Sequence, residues 1–434
     1  VYAGTNTAAS TSGTYMLMIL FNTKLNNFNN FVNDFNLSKK WDNVKVNAGL
    51  YKGVQNISMS WLWNSYLQEV SDNNARMIDV KNASGQSLSP NGLLAYGVPA
   101  WGNCCTRNYD TKYDVTAPYA QIEVNAIDKL SLDFGARYDI GNVTGSFAGG
   151  NGQTSAIDMN GNGTIDPNQQ KVATVGNNIT PVNYDYNIFG YSVGANYAIN
   201  DKNAVFARIS KGGSASADRI LFSGYNYTNT DDKALDAVKV NEVKQMEGGY
   251  KLRGADYYLN TTVFYANTIE ANYEATTQKK TENNYKSVGL ELDGYYRFNK
   301  TFEVRGGLTY TNAEIKDAID KTIVGNTPRR TPKLMYNLNP NVNLGKVSTG
   351  FYLIGVSKAF AQDNNKLTMP AYMLVNPYLS YQFTKNLGAS INGNNIFDAI
   401  GVTEAEEGSI PANGIVRGRP LTGRSLSMSI KFDF

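Results

Sequence analysis

Residues 425–434 (SLSMSIKFDF) alternate with a period of two: Leu426, Met428, Ile430, Phe432 and Phe434 fall on one face, Ser425, Ser427, Ser429, Lys431 and Asp433 on the other. That period belongs to a β-strand with one apolar and one polar side. The pattern recurs upstream. Over 129–139, Leu130, Leu132, Phe134, Ala136 and Tyr138 oppose Ser131, Asp133, Arg137 and Asp139. Over 288–298, Val288, Leu290, Leu292, Tyr296 and Phe298 oppose Glu291, Asp293, Tyr295 and Arg297.

From about residue 29 onward such segments come in pairs joined by very short polar turns, at 41–43, 127–129, 200–203, 253–256, 299–301, 345–347 and 384–386. Long polar stretches separate the pairs, at 54–113, 147–182, 213–239, 275–280, 318–332, 362–368 and 399–420. Short turns on one side and long loops on the other are the asymmetry of outer-membrane β-barrels, with the turns periplasmic and the loops outside. The closing strand with its terminal Phe resembles the last strand of such a barrel. Charges keep to the register opposite the apolar set, which implies a hydrated lumen, because Arg or Lys on the lipid face costs about 2 to 4 kcal/mol at the bilayer midplane. A soluble sandwich or β-helix also alternates, yet explains neither the terminal Phe nor the turn asymmetry.

The expected fold class is therefore all-β, a transmembrane antiparallel outer-membrane β-barrel, multi-pass in the bacterial outer membrane. Counting from residue 29 gives roughly fifteen strands, with 1–28 read as a remnant of an extracellular loop and 29–434 as barrel. An odd count points the first and last strands the same way, whereas such barrels close antiparallel with an even number. An open edge in lipid leaves backbone groups unpaired. The expectation is that an odd number of strands is missing before Val1.

Composition agrees and excludes other classes. The chain of 434 residues holds 29 Tyr, 18 Phe and 40 Gly, with no apolar run long enough for a membrane helix. Tyr suits the aromatic girdles of a barrel. A net charge of +3, from 40 Lys and Arg against 37 Asp and Glu, comes with no basic block that would bind nucleic acid. Absence of His removes the commonest zinc ligand and general base, which excludes zinc chemistry and His-dependent triads. The two cysteines, Cys104 and Cys105, are adjacent, a poor geometry for a disulfide.

Several segments resemble TonB-dependent receptors: 241–254 (NEVKQMEGGYKLRG), 285–294 (YKSVGLELDG), 394–398 (NNIFD), and a loop with Gly418, Arg419 and Pro420 before the last strand. Their order and spacing carry the resemblance over most of 114–434. It implies a barrel of about 22 strands with a plugged lumen, of which this chain would be the last fifteen. Seven strands, the plug and the TonB box would lie upstream. It also implies active uptake of a scarce ligand, such as an iron chelate, driven by the TonB-ExbB-ExbD system through the missing plug. Contacts with outer-membrane lipid and lipopolysaccharide follow, as does assembly by the barrel assembly machinery through the Phe434 strand. The competing readings are a passive porin and a barrel for surface adhesion or translocation.

Candidate sites come from three places. Trp61, Trp63, Tyr66, Trp101, Arg107 and Tyr109 crowd the first long stretch, where rings stack on sugars or aromatic chelates and Arg grips carboxylates. Residues 58–70 also fit a short amphipathic helix. Arg219 ends a Gly-rich run and is a further ligand candidate. Glu291, Asp293, Arg297, Glu303 and Arg305 are assigned to the lumen, facing the plug or the path. No cofactor is required. The segment 158–169 (DMNGNGTIDPNQ) carries calcium-loop spacing, with Asp158, Asn160, Asn162, the Thr164 carbonyl and Asp166 as ligands around Gly163. Gln169 replaces the usual bidentate Glu, so affinity is expected at about 10⁻⁴ to 10⁻³ M. An Asn-Gly turn cluster explains the same residues without a metal.

Overall fold

The computed structural model describes residues 1–2, 5–71, 74–78, 84–85, 93–95, 107–149, 154–156, 163–165, 172–173, 179–216, 221, 227–228, 233–274, 279–405, 408–410, 412, 414, 416 and 418–433. Fifteen strands lie side by side in chain order, every neighbouring pair antiparallel. They are β1 (Tyr15–Lys40), β2 (Val44–Glu69), β3 (Arg107–Ile127), β4 (Leu130–Gly149) and β5 (Thr180–Asn200). Next come β6 (Asn203–Ala215), β7 (Val240–Arg253), β8 (Tyr257–Glu274), β9 (Lys279–Arg297) and β10 (Phe302–Ala318). The series ends with β11 (Leu334–Leu344), β12 (Val347–Val356), β13 (Tyr372–Gln382), β14 (Leu387–Asn394) and β15 (Ser425–Phe432). A three-residue strand, Leu93–Ala95, adds to β2.

The two faces of this wall invert the rule for soluble proteins. On β4 the apolar side chains are the exposed ones, with Phe134 at 42%, Tyr138 at 41% and Ile140 at 50%. Asp139, on the opposite register, is only 18% exposed. The ladder carries this division from strand to strand: Phe134 pairs with Val193, Tyr138 with Phe189 and Ala136 with Tyr191. At the far end Leu426, Met428, Ile430 and Phe432 are all exposed on one face while Ser429 meets Ser390 on the other. An apolar face left uncovered by the protein is the lipid-facing side of a barrel wall, and the polar face is its lumen. Among the described residues no helix is long and apolar enough to cross a membrane; the strands make the crossing.

Turn chemistry explains the short side. Asn299 accepts from the Thr301 and Phe302 amides at 2.8 and 2.9 Å, and the Thr384 hydroxyl accepts from Asn386 and Leu387. These side chains imitate a backbone turn. Lys129 and Gly345 take the positive φ that tight reversals require, at 69° and 70°.

Three expectations are corrected. The first strand begins at Tyr15, so 15–28 is sheet and not loop remnant. Among the described residues the stretch 54–113 is mostly strand, because β2 runs on to Glu69 and β3 starts at Arg107. Residues 58–69 are accordingly extended and not an amphipathic helix. Above the membrane both faces of a strand are wet, so the period-two signal fades while the backbone ladder continues. Phe434 lies outside the described residues.

Candidate functional site: the lumen wall and its mouth

The inner face carries two polar belts. The first crosses β1 to β6. Tyr119 donates its hydroxyl to Asp34 at 2.8 Å and accepts from Asn36 at 3.0 Å. Next to it, paired directly across the ladder, Arg137 grips Asp139 through Nε and Nη2 at 2.7 to 3.1 Å. The same guanidinium lies 4.9 Å from the Tyr51 ring centre. Arg208 reaches back two strands to Asp133 at 3.1 Å. A recess of about 510 Å³ opens among Asp34, Tyr119, Asp133, Arg137, Ser192 and Arg208.

The second belt crosses β8 to β13. Tyr295 donates to Glu303 at 2.7 Å, whose other oxygen accepts from Asn341 at 3.2 Å. Asn341 in turn accepts from Tyr378 at 3.0 Å and Ser348 at 3.2 Å. Tyr258 stacks on Tyr295 with ring centres 5.8 Å apart, and Arg305 sits 5.8 Å from the Tyr295 ring centre. Charge-assisted bonds of this kind are strong where water is displaced, so the belt is a stiff, pre-shaped polar surface.

The mouth is built differently on its two sides. Between β6 and β7, Leu221, Tyr227, Leu235 and Val238 bury against Val143, Val182 and Tyr184 of β4 and β5. These strand residues continue the inward register of Asp139 and Ser192, so the insertion covers the lumen side of the wall. A short helix, α1 (Lys233–Val238), carries two of those contacts. Lys239 just after it is buried and paired to Asp236 at 2.7 Å.

On the other side, segments 319–333 and 357–371 pack together with the described residues of 395–424. Ala361, Met369 and Ala405 form their small core. Asp363 accepts from the Arg329 amide at 2.7 Å. Glu404 bridges Arg330 at 2.7 Å and Arg419 at 3.3 Å. Asn395 anchors the last segment: its amide group donates to the carbonyls of Ala399 and Thr422, and its oxygen accepts from the Ala399 amide. At the top of β2, Arg76 clasps Glu69 through two nitrogens at 2.8 and 3.1 Å and lies over the Tyr2 ring. This bonding holds the Glu69 carboxyl down to about 2.

A family model described as "TonB dependent receptor-like, beta-barrel" matches residues 2–396. The chain belongs to the TonB-dependent receptor β-barrel family. This receptor barrel therefore resides in the bacterial outer membrane. Among curated proteins it is similar to the rhizobactin receptor of Rhizobium meliloti (strain 1021), 28% identical over 228 residues, covering 48% of this chain and 28% of that protein. Among solved structures it resembles the ferric yersiniabactin uptake receptor FyuA from Yersinia pestis, at TM-score 0.59 and 14% identity, covering 97% of this chain and 58% of that one. The ferric citrate transporter FecA aligns at TM-score 0.61 and 15% identity, covering 98% of this chain and 56% of FecA. The chain thus spans well under two thirds of each.

Within the receptor barrel, Glu291, Asp293, Arg297, Glu303 and Arg305 all occupy inward registers of β9 and β10. Glu303 and Arg305 join the second belt, whereas Arg297 turns to Asp256 at the periplasmic turn, 2.9 Å away. Trp61, Trp63 and Tyr66 lie on β2. Trp61 is the direct cross-strand partner of Arg107, and Met59 of Tyr109. Tyr109 is buried and donates to the Met59 sulfur at 3.2 Å, so its ring serves wall packing. Trp101, Arg219, Cys104, Cys105, Asp158, Asn160, Asn162 and Asp166 lie outside the described residues. Thr164 is described. Among the described residues no cluster of three or more Cys, Asp or Glu is placed to hold a metal.

Sequence reading missed Asp34, Tyr51, Tyr119, Arg137 and Asp139 as one unit, and Arg330, Glu404 and Arg419 as another. The first had a usable signal, since each is polar or aromatic on the register opposite the lipid-facing residues. The second had none: its members stand 74 residues apart, from Arg330 to Glu404.

Proposed function

We propose that the receptor barrel forms the wall and outer mouth of a transporter for a scarce small ligand, a ferric chelate or a nutrient of similar size, energised by TonB. The observation that carries the reading is the pair of stiff polar belts on the inner face beneath a mouth of folded segments. In this reading the belts seat a plug domain, and the layer of Leu221, Tyr227 and α1 with the Arg330–Glu404–Arg419 cluster meets the ligand. Support for iron chelates comes from the names of the relatives, which include a rhizobactin receptor and ferric yersiniabactin and ferric citrate transporters. Arginines at the mouth suit the carboxylate or catecholate edge of such chelates through bidentate bonds. Glu303 and Arg305 act as seats for the plug, positioned by Tyr295 and Asn341.

The test is uptake by the full-length receptor, using radiolabelled ferric citrate, catecholate and hydroxamate chelates in isogenic hosts with and without TonB. Saturable uptake of one class that vanishes without TonB is the expected result. Uptake that is unsaturable and indifferent to TonB would instead describe a passive pore and overturn the proposal.

A further inference from the structure

The inner face of the wall changes character at β11. On β4, β6, β7, β9 and β10 the inward register carries ions, among them Asp133, Arg208, Glu247, Asp293 and Arg305. On β11 the same register reads Asn337, Asn339 and Asn341, and on β15 it reads Ser425, Ser427 and Ser429. Among the described residues of β11 to β15, Lys431 is the one charged residue. It stands at the periplasmic end, paired with Asp433 at 3.0 Å.

The neutral groups of this arc bond one another and the backbone. Ser390 meets Ser429 at 2.7 Å, Asn394 donates to Ser425 at 3.3 Å, and the Asn339 amide donates to the Phe351 carbonyl at 2.9 Å. Tyr352 and Tyr378 share the lumen side, with ring centres 5.4 Å apart.

The two arcs hold a neighbour differently. Parting a charge-assisted bond where water is scarce leaves an unpaired ion behind, so an ionic wall keeps what it grips. Asparagine, serine and tyrosine exchange a partner for water at little net cost. Passage also needs contacts that are several and weak, so that a solute both enters and leaves. A ladder of amides and hydroxyls meets that condition, whereas Arg137 is already clamped by Asp139. The neutral arc also lies in line with the mouth cluster. Arg330 precedes β11, while Glu404 and Arg419 lie between β14 and β15.

Resting on the TonB-energised uptake proposed for this barrel, we infer that β11–β15 line the path of the ligand. The plug stays gripped by the ionic arc and parts from the wall along the neutral one, and the chelate passes down that gap. Its carboxylate or catecholate oxygens accept in succession from the Asn amides and from the Ser and Tyr hydroxyls. Tyr352 and Tyr378 present ring faces to any aromatic part of it.

The test is cysteine labelling of the full-length receptor in live cells, on a C104S/C105S background. N392C and S427C, at cross-strand partners, report the neutral arc, and Q121C and T262C report the inward register of β3 and β8. The probe is a small charged maleimide that reaches the periplasm through porins, applied with and without ferric citrate, catecholate and hydroxamate chelates. With TonB and chelate, labelling at N392C and S427C should rise about tenfold, within the usual range of coupling between sites, and without TonB it should stay flat. Q121C and T262C should stay flat throughout. A second readout is N392D/S427K, which sets an ion pair across the path and should cut maximal uptake severalfold while chelate binding at the cell surface stays as in wild type. N392Q/S427T keeps the groups neutral and should keep uptake. An equal rise on both arcs, no rise at N392C and S427C during saturable TonB-dependent uptake, or full uptake by N392D/S427K would overturn the path and leave the transporter standing. Uptake indifferent to TonB would overturn both.

Discussion

The wall is tall on one side and low on the other. Strands β1 and β2 each have 26 residues, roughly 85 Å of extended chain, whereas β14 and β15 have eight each, roughly 26 Å. A membrane crossing needs only about 9 to 11 tilted residues. On the tall side the mouth is made by prolonging the sheet, so main-chain ladder bonds support it. On the low side the strands stop near the membrane, and side chains must lash loops together through Asn395, Asp363 and Glu404. The two solutions differ in what a single substitution can break.

The largest effect is expected at Asn395, which is buried and has a φ of 46°. Asn395→Val removes its three side-chain hydrogen bonds and puts a β-branched residue in a left-handed conformation. A local loss of about 3 kcal/mol or more is expected. Hydrogen exchange should rise across 395–424 and stay unchanged in β2 and β3. Faster exchange in β2 would show that the two sides are one cooperative unit.

On the tall side the vulnerable point is backbone. Gly145 has a φ of 137°, and a Cβ there would collide with the Asp110 carbonyl oxygen of the neighbouring strand. Gly145→Val is expected to cost about 2 kcal/mol, with exchange rising in the outer parts of β3 and β4 alone. If the low side loosened instead, the contrast would fail.

A smaller effect follows at Glu404. Glu404→Gln weakens the links to Arg330 and Arg419, both partly exposed, for about 1 kcal/mol. Differential scanning in high salt should reduce even that difference, because exposed pairs are screened. Smallest is the Glu69–Arg76 clasp on the tall side. Its folded carboxyl is depressed to about 2 from an ordinary 4.5. Its contribution is therefore complete above pH 4.5 and is lost as pH falls toward 2. Carboxyl titration by nuclear magnetic resonance checks this, and an ordinary midpoint for Glu69 would refute the clasp.

Much of this architecture can be read from residue order. Turns at 41–43, 127–129, 200–203, 253–256, 299–301, 345–347 and 384–386 all fall between the observed strands. They are legible because a two-residue period must break where a tight reversal begins, and because Asn, Gly and Thr mark the break. That Glu291, Glu303 and Arg305 share one register of β9 and β10 was legible for the same reason. Trp61 and Trp63 were placed in a loop although Asn56, Ser58 and Ser60 alternate with Ile57, Met59 and Trp61, because Leu62 breaks the alternation between the two tryptophans. Their backbone is held by pairing to β1, and at Trp61 to β3 as well, which leaves no mark on the sequence.

By itself, then, the sequence determined what lipid imposes: one apolar face per strand, short reversals at one end, and charges confined to the other face, since each violation costs several kcal/mol within the chain's own local pattern. Only the tertiary structure decided what water permits. Prolonging β1–β5 above the membrane, burying Leu221, Tyr227, Leu235 and Val238 against the wall, and joining Arg330 to Glu404 and Arg419 all depend on cross-strand register and on loop packing. Those are contacts between residues distant in sequence, where no period constrains the chain and only the assembled wall brings the partners together.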